Sequence, residues 1–400
     1  MIDGGYDVLV LGAGVVGLST AISLLESKPG IRVLVVDKEP KLGIHASGRN
    51  SGVLHAGFYY SSDSLKAKFC RNGNFELKQL CSANRIPVNT CGKVVVTQND
   101  SEEERLDVLF ERGTRNGVEL EILEQSQLYR YEPLAKTHNR FLWSPNTAIS
   151  DSSLVIKALA EKYQEMGGKF LFSSKVALKV EGSEVVSGVK FKRLVNCAGA
   201  QADRIARGLG EALDYAMLPF MGIYRATSQV NLPLRTLVYP VPHALNPFLG
   251  VHFTLTIDGK VKIGPTAIPI MGREQYSIRE GWSLSDLGQA IKGAVSLIRK
   301  DSHDFSEIVK TEWPKLIQRK LIAEGANLVP SATQVSKWYR KPPGIRAQLV
   351  HLPTGRLEQD FVVRNHLNAT HVLNAVSPGW TSSIPFGRYV AEKYVLPELS

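Results

Sequence analysis

The first forty residues pass from an apolar run to a helical pattern and back to an apolar run. Asp7–Leu11 is almost entirely apolar, which predicts a central parallel strand buried on both faces. Leu18–Leu25 repeats its apolar residues with the period of a helix, and Ile31–Val36 predicts a second strand that ends at Asp37. A glycine-rich turn joins the first strand to the helix, so this region predicts a strand–helix–strand unit.

The turn reads Gly12-Ala-Gly14-Val-Val-Gly17. Gly12 permits the tight turn, Gly14 lets the backbone approach a pyrophosphate, and Gly17 lets the helix pack close to the strand. The helix N-terminus offers free N–H groups and a positive dipole end to phosphates, and Asp37 can accept hydrogen bonds from a ribose diol. Asp37 follows Gly17 at the dinucleotide spacing of about 20 residues. The unit therefore predicts a Rossmann-like nucleotide site whose candidate residues are Gly12, Gly14, Val16, Gly17, Asp37 and Lys38.

The glycine motif alone does not separate NAD from FAD. It occurs once, which disfavours a reductase with separate FAD and NAD(P) domains, and its position near the start of the chain favours FAD.

A second polar segment runs from residue 45 to residue 60 and is rich in Gly, Ser and Asn. Such a segment forms a loop with many donors, which can wrap a pyrophosphate and a flavin edge. Its cofactor candidates are Ser47, Arg49, Asn50 and Ser51, although Arg49 could also be a solvated surface residue. The loop also carries His55, which is either near the bound molecule or a hydrogen-bonded histidine in a structural turn.

This segment resembles the H-x-[ST]-G-x-N-S-G-V-[IL]-H-[SA]-G-x-Y-Y stretch of L-2-hydroxyglutarate dehydrogenases, which belong to the D-amino-acid oxidase superfamily of flavoproteins. The resemblance extends from Asp7 to about Arg388 through a series of further motifs, namely Ser64–Lys68, Tyr239–Pro242, Pro247–Thr254, Gly264-Pro265, Gly344–Gln348 and Ser377-Pro378 with Thr381–Ile384. The chain departs from the family at Arg49, where histidine is usual. It also has Met221 and Ile223 where the family has an arginine and an acid.

The remaining patterns supply further elements. Ser101–Glu104 predicts a capping box for a helix that ends near Gly117, and Asp151 predicts the cap of a helix that ends near Gly167. Residues 249–264 predict a hairpin around Asp258-Gly259, and His371–Val376 predicts a strand.

Two more glycine turns are candidates for cofactor contact. The strand starting at Arg193 enters a turn at Ala198 and Gly199, which resembles the family's second pass beside FAD, with Val176 expected on the preceding strand. The turn after residue 376 precedes a helix whose N-terminus could face the flavin C2=O edge. Its candidates are Gly379, Thr381, Ser382 and Ser383.

The expected fold class is α/β (α+β), with a Rossmann-like FAD-binding domain and a second domain containing a mixed, largely antiparallel sheet. The discontinuous FAD-binding domain is expected from residues 1–85, 150–212 and 340–400, and the substrate-binding domain from residues 86–149 and 213–339. The substrate is expected between the domains, under the flavin ring.

The resemblance implies FAD-dependent oxidation of L-2-hydroxyglutarate to 2-oxoglutarate, with hydride transfer from C2 to flavin N5. This chemistry needs a base, for which His55 is the candidate, and a cation for the carboxylate, for which Arg346 in Gly-Ile-Arg is the candidate. His252 is a third catalytic candidate or a core histidine. Tyr60 and Tyr239 could bind the distal carboxylate or serve packing alone.

Three alternatives stay open at this point. Oxidation of another small 2-hydroxy acid is the first. The second is an amine or amino-acid oxidase of the same superfamily acting on glycine, sarcosine or a related amine, for which His55 would be dispensable. The third is a flavin-binding scaffold without turnover.

Composition narrows the partners and the compartment. The formal charge of +10 allows attraction to an anionic substrate, contact with an anionic membrane or an ordinary solvated basic surface, while the scattered basic residues argue against nucleic acid. No apolar run approaches the roughly 20 residues of a membrane span, and the few residues before the first strand leave no room for a signal peptide. We expect a cytoplasmic protein, peripheral to the inner membrane if attached, or a mitochondrial one if a transit peptide was removed.

The cysteines, Cys70, Cys81, Cys91 and Cys197, show neither C-x-x-C pairs nor metal-ligand spacing with histidine. They predict reduced thiols in a reducing compartment and no metal site. The sequence does not indicate whether the electron acceptor is oxygen, a quinone or a flavoprotein.

Overall fold

The computed structural model describes residues 5–242, 248–277, 280–300 and 302–399. Its helices are α1 (Val15–Ser27), α2 (Leu65–Ala83), α3 (Asp100–Arg115), α4 (Leu128–Tyr131), α5 (Ser152–Glu165), α6 (Ala202–Gly208), α7 (Leu284–Lys300), α8 (Ser302–Glu312), α9 (Gln318–Gly325) and α10 (Ser383–Val390). None of the helices within these ranges combines the length and apolarity needed to cross a membrane.

The strands of the first half are β1 (Tyr6–Leu11), β2 (Val33–Val36), β3 (Val53–Leu54), β4 (Val88–Asn89), β5 (Lys93–Val96), β6 (Glu121–Glu124), β7 (Arg140–Ser144), β8 (Ala148–Ser150), β9 (Lys169–Leu171), β10 (Leu178–Glu181), β11 (Glu184–Ser187) and β12 (Phe191–Asn196). Those of the second half are β13 (Tyr215–Gly222), β14 (Arg225–Ser228), β15 (Leu237–Pro240), β16 (His252–Leu255), β17 (Lys260–Gly264), β18 (Ile268–Pro269), β19 (Tyr339–Arg340), β20 (Gly344–His351), β21 (Arg356–Leu357), β22 (Val363–His366) and β23 (Ala369–Val372).

A six-stranded sheet with the order β22-β23-β12-β1-β2-β9 contains the strand–helix–strand unit. β1 pairs in parallel with β2 on one side and β12 on the other, and β22 is the antiparallel edge strand. Every residue of β1 except Asp7 is buried, as is all of β2, because helices cover the sheet. The predicted central parallel strand and the Rossmann-like α/β arrangement are confirmed.

An eight-stranded sheet has the order β19-β14-β17-β16-β15-β5-β7-β6. Its neighbours pair antiparallel except β15 and β5, which are parallel. β16 and β17 form the predicted hairpin around Asp258-Gly259. The prediction of a mixed, largely antiparallel second sheet is thus confirmed. Pro247, the first residue of one family motif, lies outside the described residues.

Smaller sheets complete the architecture: β18-β13-β20-β21, β3-β8-β4 and the β10–β11 hairpin. β20 falls within the segment 340–400 expected in the FAD-binding domain, yet it pairs along its whole length with β13 from the expected substrate-binding segment. The division of the chain into two domains stays a prediction.

Several local predictions need correction. Helix α3 is capped by Asn99, whose side chain accepts the Glu102 N–H, and not by Ser101, because Asn99 has extended backbone and Ser101 is already inside the helix. Val176 lies in the connection between β9 and β10 rather than on a strand. The predicted strand 371–376 lies earlier, at β23. Asp151 caps α5 as predicted, by accepting the Ser153 and Leu154 N–H groups.

Candidate active site

Three glycines let the N-terminus of α1 pack against the end of β1. Gly12 has a φ of +104°, and a Cβ there would lie 2.4 Å from the Cys197 carbonyl oxygen. A Cβ on Gly17 would lie 2.0 Å from the Gly12 carbonyl oxygen, and one on Gly14 would lie 2.9 Å from Ser47 Oγ. Larger residues would therefore move the helix away from the strand or close the space in front of its N-terminus.

Side chains from two neighbouring segments hold this turn in place. Asp37 Oδ2 accepts the Ala13 N–H at 2.8 Å, and Asp37 Oδ1 accepts the Glu39 N–H at 2.9 Å. Ser47 Oγ accepts the Val15 N–H at 3.1 Å. The structure thus brings Asp37 and Ser47 to the first turn of α1, where N–H groups without intrahelical acceptors form an anion site.

The polar loop 45–60 is folded by its own side chains. Asn50 Nδ2 donates to the Ser47 carbonyl at 2.7 Å, and Asn50 Oδ1 accepts the Gly52 N–H at 2.9 Å. Ser51 Oγ accepts the Val53 N–H at 3.3 Å. These two predicted cofactor residues set the path of the loop beside the glycine turn.

Lys38 and Arg49 have protein partners of their own. Lys38 Nζ forms an ion pair with Glu39 and lies 3.0 Å from Glu274 Oε1. The Arg49 guanidinium carbon lies 4.0 Å from the centre of the Tyr276 ring. Carboxylates therefore already pair with the Lys38 charge, and the Arg49 guanidinium already stacks on an aromatic ring.

The remaining predicted cofactor residues lie along two other turns and the first helix. The Ala198 N–H donates to a side-chain oxygen at the end of β12 at 3.3 Å, and Gly199 has a φ of +55°. The Gly379 N–H closes a turn at 2.7 Å. Val16 and Val176 are partly buried against the apolar residues on opposite sides of the six-stranded sheet.

Thr381 joins the C-terminal turn to the loop that carries His55. Its Oγ1 donates to the Val53 carbonyl at 3.1 Å and accepts the His55 N–H at 3.2 Å. The hydroxyls of Ser382 and Ser383, at the N-terminus of α10, are buried without a hydrogen-bond partner. Unpaired buried hydroxyls at a helix N-terminus, together with the glycine turn, fit a large polar cofactor that supplies the missing acceptors.

A row of polar residues occupies one face of the eight-stranded sheet. Lys93 pairs with Leu237, two residues before Tyr239, so the side chains of Lys93 and Tyr239 point to the same face. The rings of Tyr239 and His252 stack with centroids 3.8 Å apart, and Lys93 Nζ lies 4.4 Å from the Tyr239 ring. Thr254 follows on the same face of β16. Lysine, tyrosine and histidine are thus buried together on this face.

Residues from other segments meet this face. Lys93 Nζ lies 4.8 Å from the ring of Tyr59, which belongs to the polar loop. Electrostatic interactions with Lys93, His252 and Arg346 add to the effect of burial in lowering the pKa of His55. We call Lys93, Tyr239, His252, His55, Tyr59 and Arg346 the polar cluster. Five of its members have a buried polar atom without a hydrogen-bond partner, namely His55 Nδ1, the Tyr59 hydroxyl, Lys93 Nζ, the Tyr239 hydroxyl and one Arg346 guanidinium nitrogen.

Burial controls the protonation of the cluster. It holds the pKa of His55 well below its usual range, helped by Lys93, His252 and Arg346. Burial also lowers the pKa of His252 to about 3 and that of Lys93 to about 7. Both imidazoles are therefore neutral at pH 7, and an imidazole must be neutral to accept a proton.

Tyr60 and Arg346 lie at the edge of the cluster. Burial raises the pKa of Tyr60 well above its usual range, so its hydroxyl stays protonated. Arg346 on β20 pairs with Phe220 on β13, whereas Met221 pairs with Ile345. Met221 therefore lies on the opposite face of this sheet, in an apolar group with Ile270 and Ile345. The departure from the family at Met221 therefore does not alter the face of the sheet that carries Arg346.

The sequence predictions missed Lys93 and Tyr59. Tyr59 stood beside Tyr60 in the family motif but received no role. Lys93 begins the run Lys-Val-Val-Val, which reads as an ordinary strand start. Strand alternation puts Lys93 and Val95 on the same face, but it does not tell whether that face is buried at Lys93.

The chain is similar to known flavoenzymes along nearly its whole length. The family model for FAD dependent oxidoreductase matches residues 7–393. The L-2-hydroxyglutarate dehydrogenase of Escherichia coli (strain K12) is 34% identical over 398 residues, with 97% of this chain and 93% of the relative covered. The mitochondrial L-2-hydroxyglutarate dehydrogenase of Homo sapiens is 32% identical over 415 residues, covering 97% of this chain and 88% of the relative. Relatives thus include bacterial and mitochondrial enzymes.

Solved structures share the fold. L-alpha-glycerophosphate oxidase from Mycoplasma pneumoniae with FAD bound has a TM-score of 0.74 at 23% identity and covers 96% of this chain and 93% of its own. Glycine oxidase from Geobacillus kaustophilus has a TM-score of 0.71 at 18% identity, with coverages of 97% and 94%. The chain therefore belongs to the family of FAD-dependent oxidoreductases that contains the L-2-hydroxyglutarate dehydrogenases, and FAD is its cofactor.

Proposed function

We propose that this enzyme oxidises L-2-hydroxyglutarate to 2-oxoglutarate, with His55 as the base and Arg346 as the partner of the C1 carboxylate. The observation that carries the proposal is that His55 Nδ1 and one Arg346 guanidinium nitrogen are both buried without a partner, while the Arg346 charge acts on His55. The relatives named L-2-hydroxyglutarate dehydrogenase, which match nearly the whole chain, supply the substrate.

Each residue has one task in this proposal. The Arg346 guanidinium has a planar fork that can bind a carboxylate with two hydrogen bonds, which fixes C2 and its hydroxyl relative to His55. Neutral His55 accepts the hydroxyl proton while the C2–H bond breaks and the C2=O bond forms. When bound, FAD supplies the acceptor for the hydride. The Arg346 charge also acts on Tyr60 and His252, which offer a hydroxyl donor and an imidazole acceptor.

The cofactor would be held by the turns already described. The glycine turn, Asp37 and Ser47 suit the dinucleotide end, and the unpaired hydroxyls of Ser382 and Ser383 suit polar atoms of the flavin end. Because Thr381 ties this C-terminal turn to the His55 backbone, one segment would orient both the cofactor and the base.

The test is anaerobic bleaching of the bound flavin. L-2-Hydroxyglutarate, D-2-hydroxyglutarate, another L-2-hydroxy acid, glycine and sarcosine are added separately to the purified enzyme, and the flavin absorbance is followed. We expect rapid bleaching by L-2-hydroxyglutarate and none by its D isomer. Bleaching by an amine instead would replace the proposal with the amine oxidase alternative, and bleaching by none of these compounds would refute the substrate assignment.

A further inference from the structure

Lys93 is a fully buried cation inside the polar cluster. Its ammonium nitrogen lies 4.9 Å from the Phe58 ring, 4.8 Å from the Tyr59 ring and 4.4 Å from the Tyr239 ring, and it has no hydrogen-bond partner. A lysine buried without an anion is destabilising, because the aromatic faces return only part of the lost hydration. Such a group therefore points to a ligand that supplies the anion.

The other buried lysines have carboxylates close by. Lys315 Nζ lies 2.7 Å from Glu312 and 2.8 Å from Glu324, and these acids raise its pKa. Burial lowers the pKa of Lys66 to about 8, and the carboxylates of Asp360 and Glu358 oppose this shift. Lys93 thus differs from both in its surroundings.

Burial lowers the pKa of Lys93, and the groups that raise it are two thiols, those of Cys70 and Cys91. Burial raises the pKa of Cys70 to about 12 and that of Cys91 to about 11, so both remain neutral thiols at pH 7. Neither can neutralise the ammonium group, so no anion among the described residues balances the charge of Lys93.

The cluster contains a second cation of the same kind. Arg346 also has a buried guanidinium nitrogen without a partner, and its charge acts on the same histidines as that of Lys93. Two cations that both act on His55 and His252 match a ligand with two carboxylates and a reacting carbon between them. The free Tyr59 hydroxyl, next to Lys93, offers a further donor to the second carboxylate.

We propose that Lys93 binds the distal carboxylate of a dicarboxylic 2-hydroxy acid and thereby selects dicarboxylates over monocarboxylates of equal length. This inference rests on the proposed function, because it takes Arg346 as the partner of the first carboxylate. The Phe58, Tyr59 and Tyr239 rings surround the ammonium group, exclude water from it and make its pairing with a carboxylate strong.

The experiment compares Lys93→Met with the wild-type holoenzyme and with Lys66→Met as the matched control for removing a buried lysine. Glutarate and pentanoate, neither of which can be oxidised, are titrated while the flavin absorbance is recorded. In parallel, kcat/KM is measured for L-2-hydroxyglutarate and L-2-hydroxypentanoate. The thermal midpoint and FAD content of each variant are recorded.

In wild type and Lys66→Met we expect glutarate to bind much more tightly than pentanoate. In Lys93→Met we expect glutarate affinity and kcat/KM for L-2-hydroxyglutarate to fall by about 100-fold, with values for the monocarboxylates unchanged or raised. The thermal midpoint of Lys93→Met should stay the same or rise, because an unpaired buried charge has been removed. A purely structural cation over aromatic rings would lower it.

Equal losses for dicarboxylates and monocarboxylates, or unchanged glutarate affinity, would overturn the role of Lys93. Lys93→Gln repeats the comparison if the methionine variant does not retain FAD. If Lys93→Met loses glutarate binding but wild type oxidises no hydroxy acid, the dicarboxylate subsite stands and the proposed function fails.

Discussion

The rings of Tyr239 and His252 stack with their centroids 3.8 Å apart and their planes 20° apart. His252 Nδ1 lies 2.7 Å from the Gly250 carbonyl oxygen, which can only accept, so Nδ1 carries the proton. Because burial lowers the pKa of His252 to about 3, Nε2 is an unprotonated acceptor at pH 7. The stack therefore presents a fixed hydrogen-bond acceptor to the polar cluster.

His252→Phe retains the stack with Tyr239 and removes that acceptor. We expect kcat/KM for L-2-hydroxyglutarate to fall by about tenfold, the effect of one hydrogen bond. Steady-state kinetics on wild type and variant, with FAD content as the check on folding, test this. If His252→Phe lost more kcat/KM than His55→Ala, His252 rather than His55 would be the base.

His55→Ala removes the proposed base. The expected loss in kcat is about 10²–10⁴-fold, with FAD binding retained, because the link to Thr381 uses the backbone of residue 55. Flavin reduction in a stopped-flow instrument measures the chemical step directly. If the variant reduces its flavin with glycine or sarcosine at the wild-type rate, the enzyme is an amine oxidase in which His55 is dispensable.

Arg346→Lys keeps the charge and loses the planar fork. We expect kcat/KM to fall by about 10–100-fold, because one ammonium group cannot reproduce a bidentate contact. Arg340→Lys is the matched control, since Arg340 is exposed on β19. If Arg346→Lys and Arg340→Lys had the same kcat/KM, Arg346 would not be a substrate-binding residue.

Gly17→Ala tests the cofactor turn. A Cβ at this position would lie 2.0 Å from the Gly12 carbonyl oxygen, so the purified variant should contain little FAD. Gly288→Ala, inside α7 with no atom within 4 Å of the added Cβ, should retain FAD and be slightly more stable. The ratio of flavin to protein absorbance gives the answer, and full occupancy in Gly17→Ala would contradict the close packing described for this turn.

The pH dependence of kcat/KM reports the free enzyme. The pKa of Lys93 is lowered to about 7, so its charged form is lost as the pH rises through 7, and kcat/KM for the dicarboxylate should decline above this value. His55 loses its base form only well below its usual pKa, so no decline is expected between pH 7 and 6.5. The groups that act on or face Lys93 are His55, His252, Cys70, Cys91, Tyr59 and Tyr239. An alkaline decline that persists in Lys93→Met would have to come from another group.

The nucleotide turn could be predicted from sequence because its constraints are local. Gly12, Gly17 and Asp37 lie within one strand–helix–strand unit, and the structure brings them together as that unit requires. The cap of α3 was misplaced by two residues, since Asn99 and Ser101 are both good caps and backbone conformation decides between them.

Lys93 could not be predicted because its surroundings are assembled from distant segments. Its strand pairs with β15, and the aromatic rings around it come from the polar loop and from Tyr239. A lysine before three valines has no local feature that distinguishes a solvated strand end from a buried cation. Only the pairing of β5 with β15 makes that distinction.

The six-stranded sheet has a consequence for synthesis of the chain on the ribosome. β12 pairs with β1 early, but its other edge is covered only by β23, near the C-terminus. Until residues 369–372 have left the exit tunnel, the edge of β12 that pairs with β23 in the folded protein is open and can pair with other chains. Chains that lack residues 369–372 therefore carry an aggregation-prone edge, which the pairing of β23 with β12 closes.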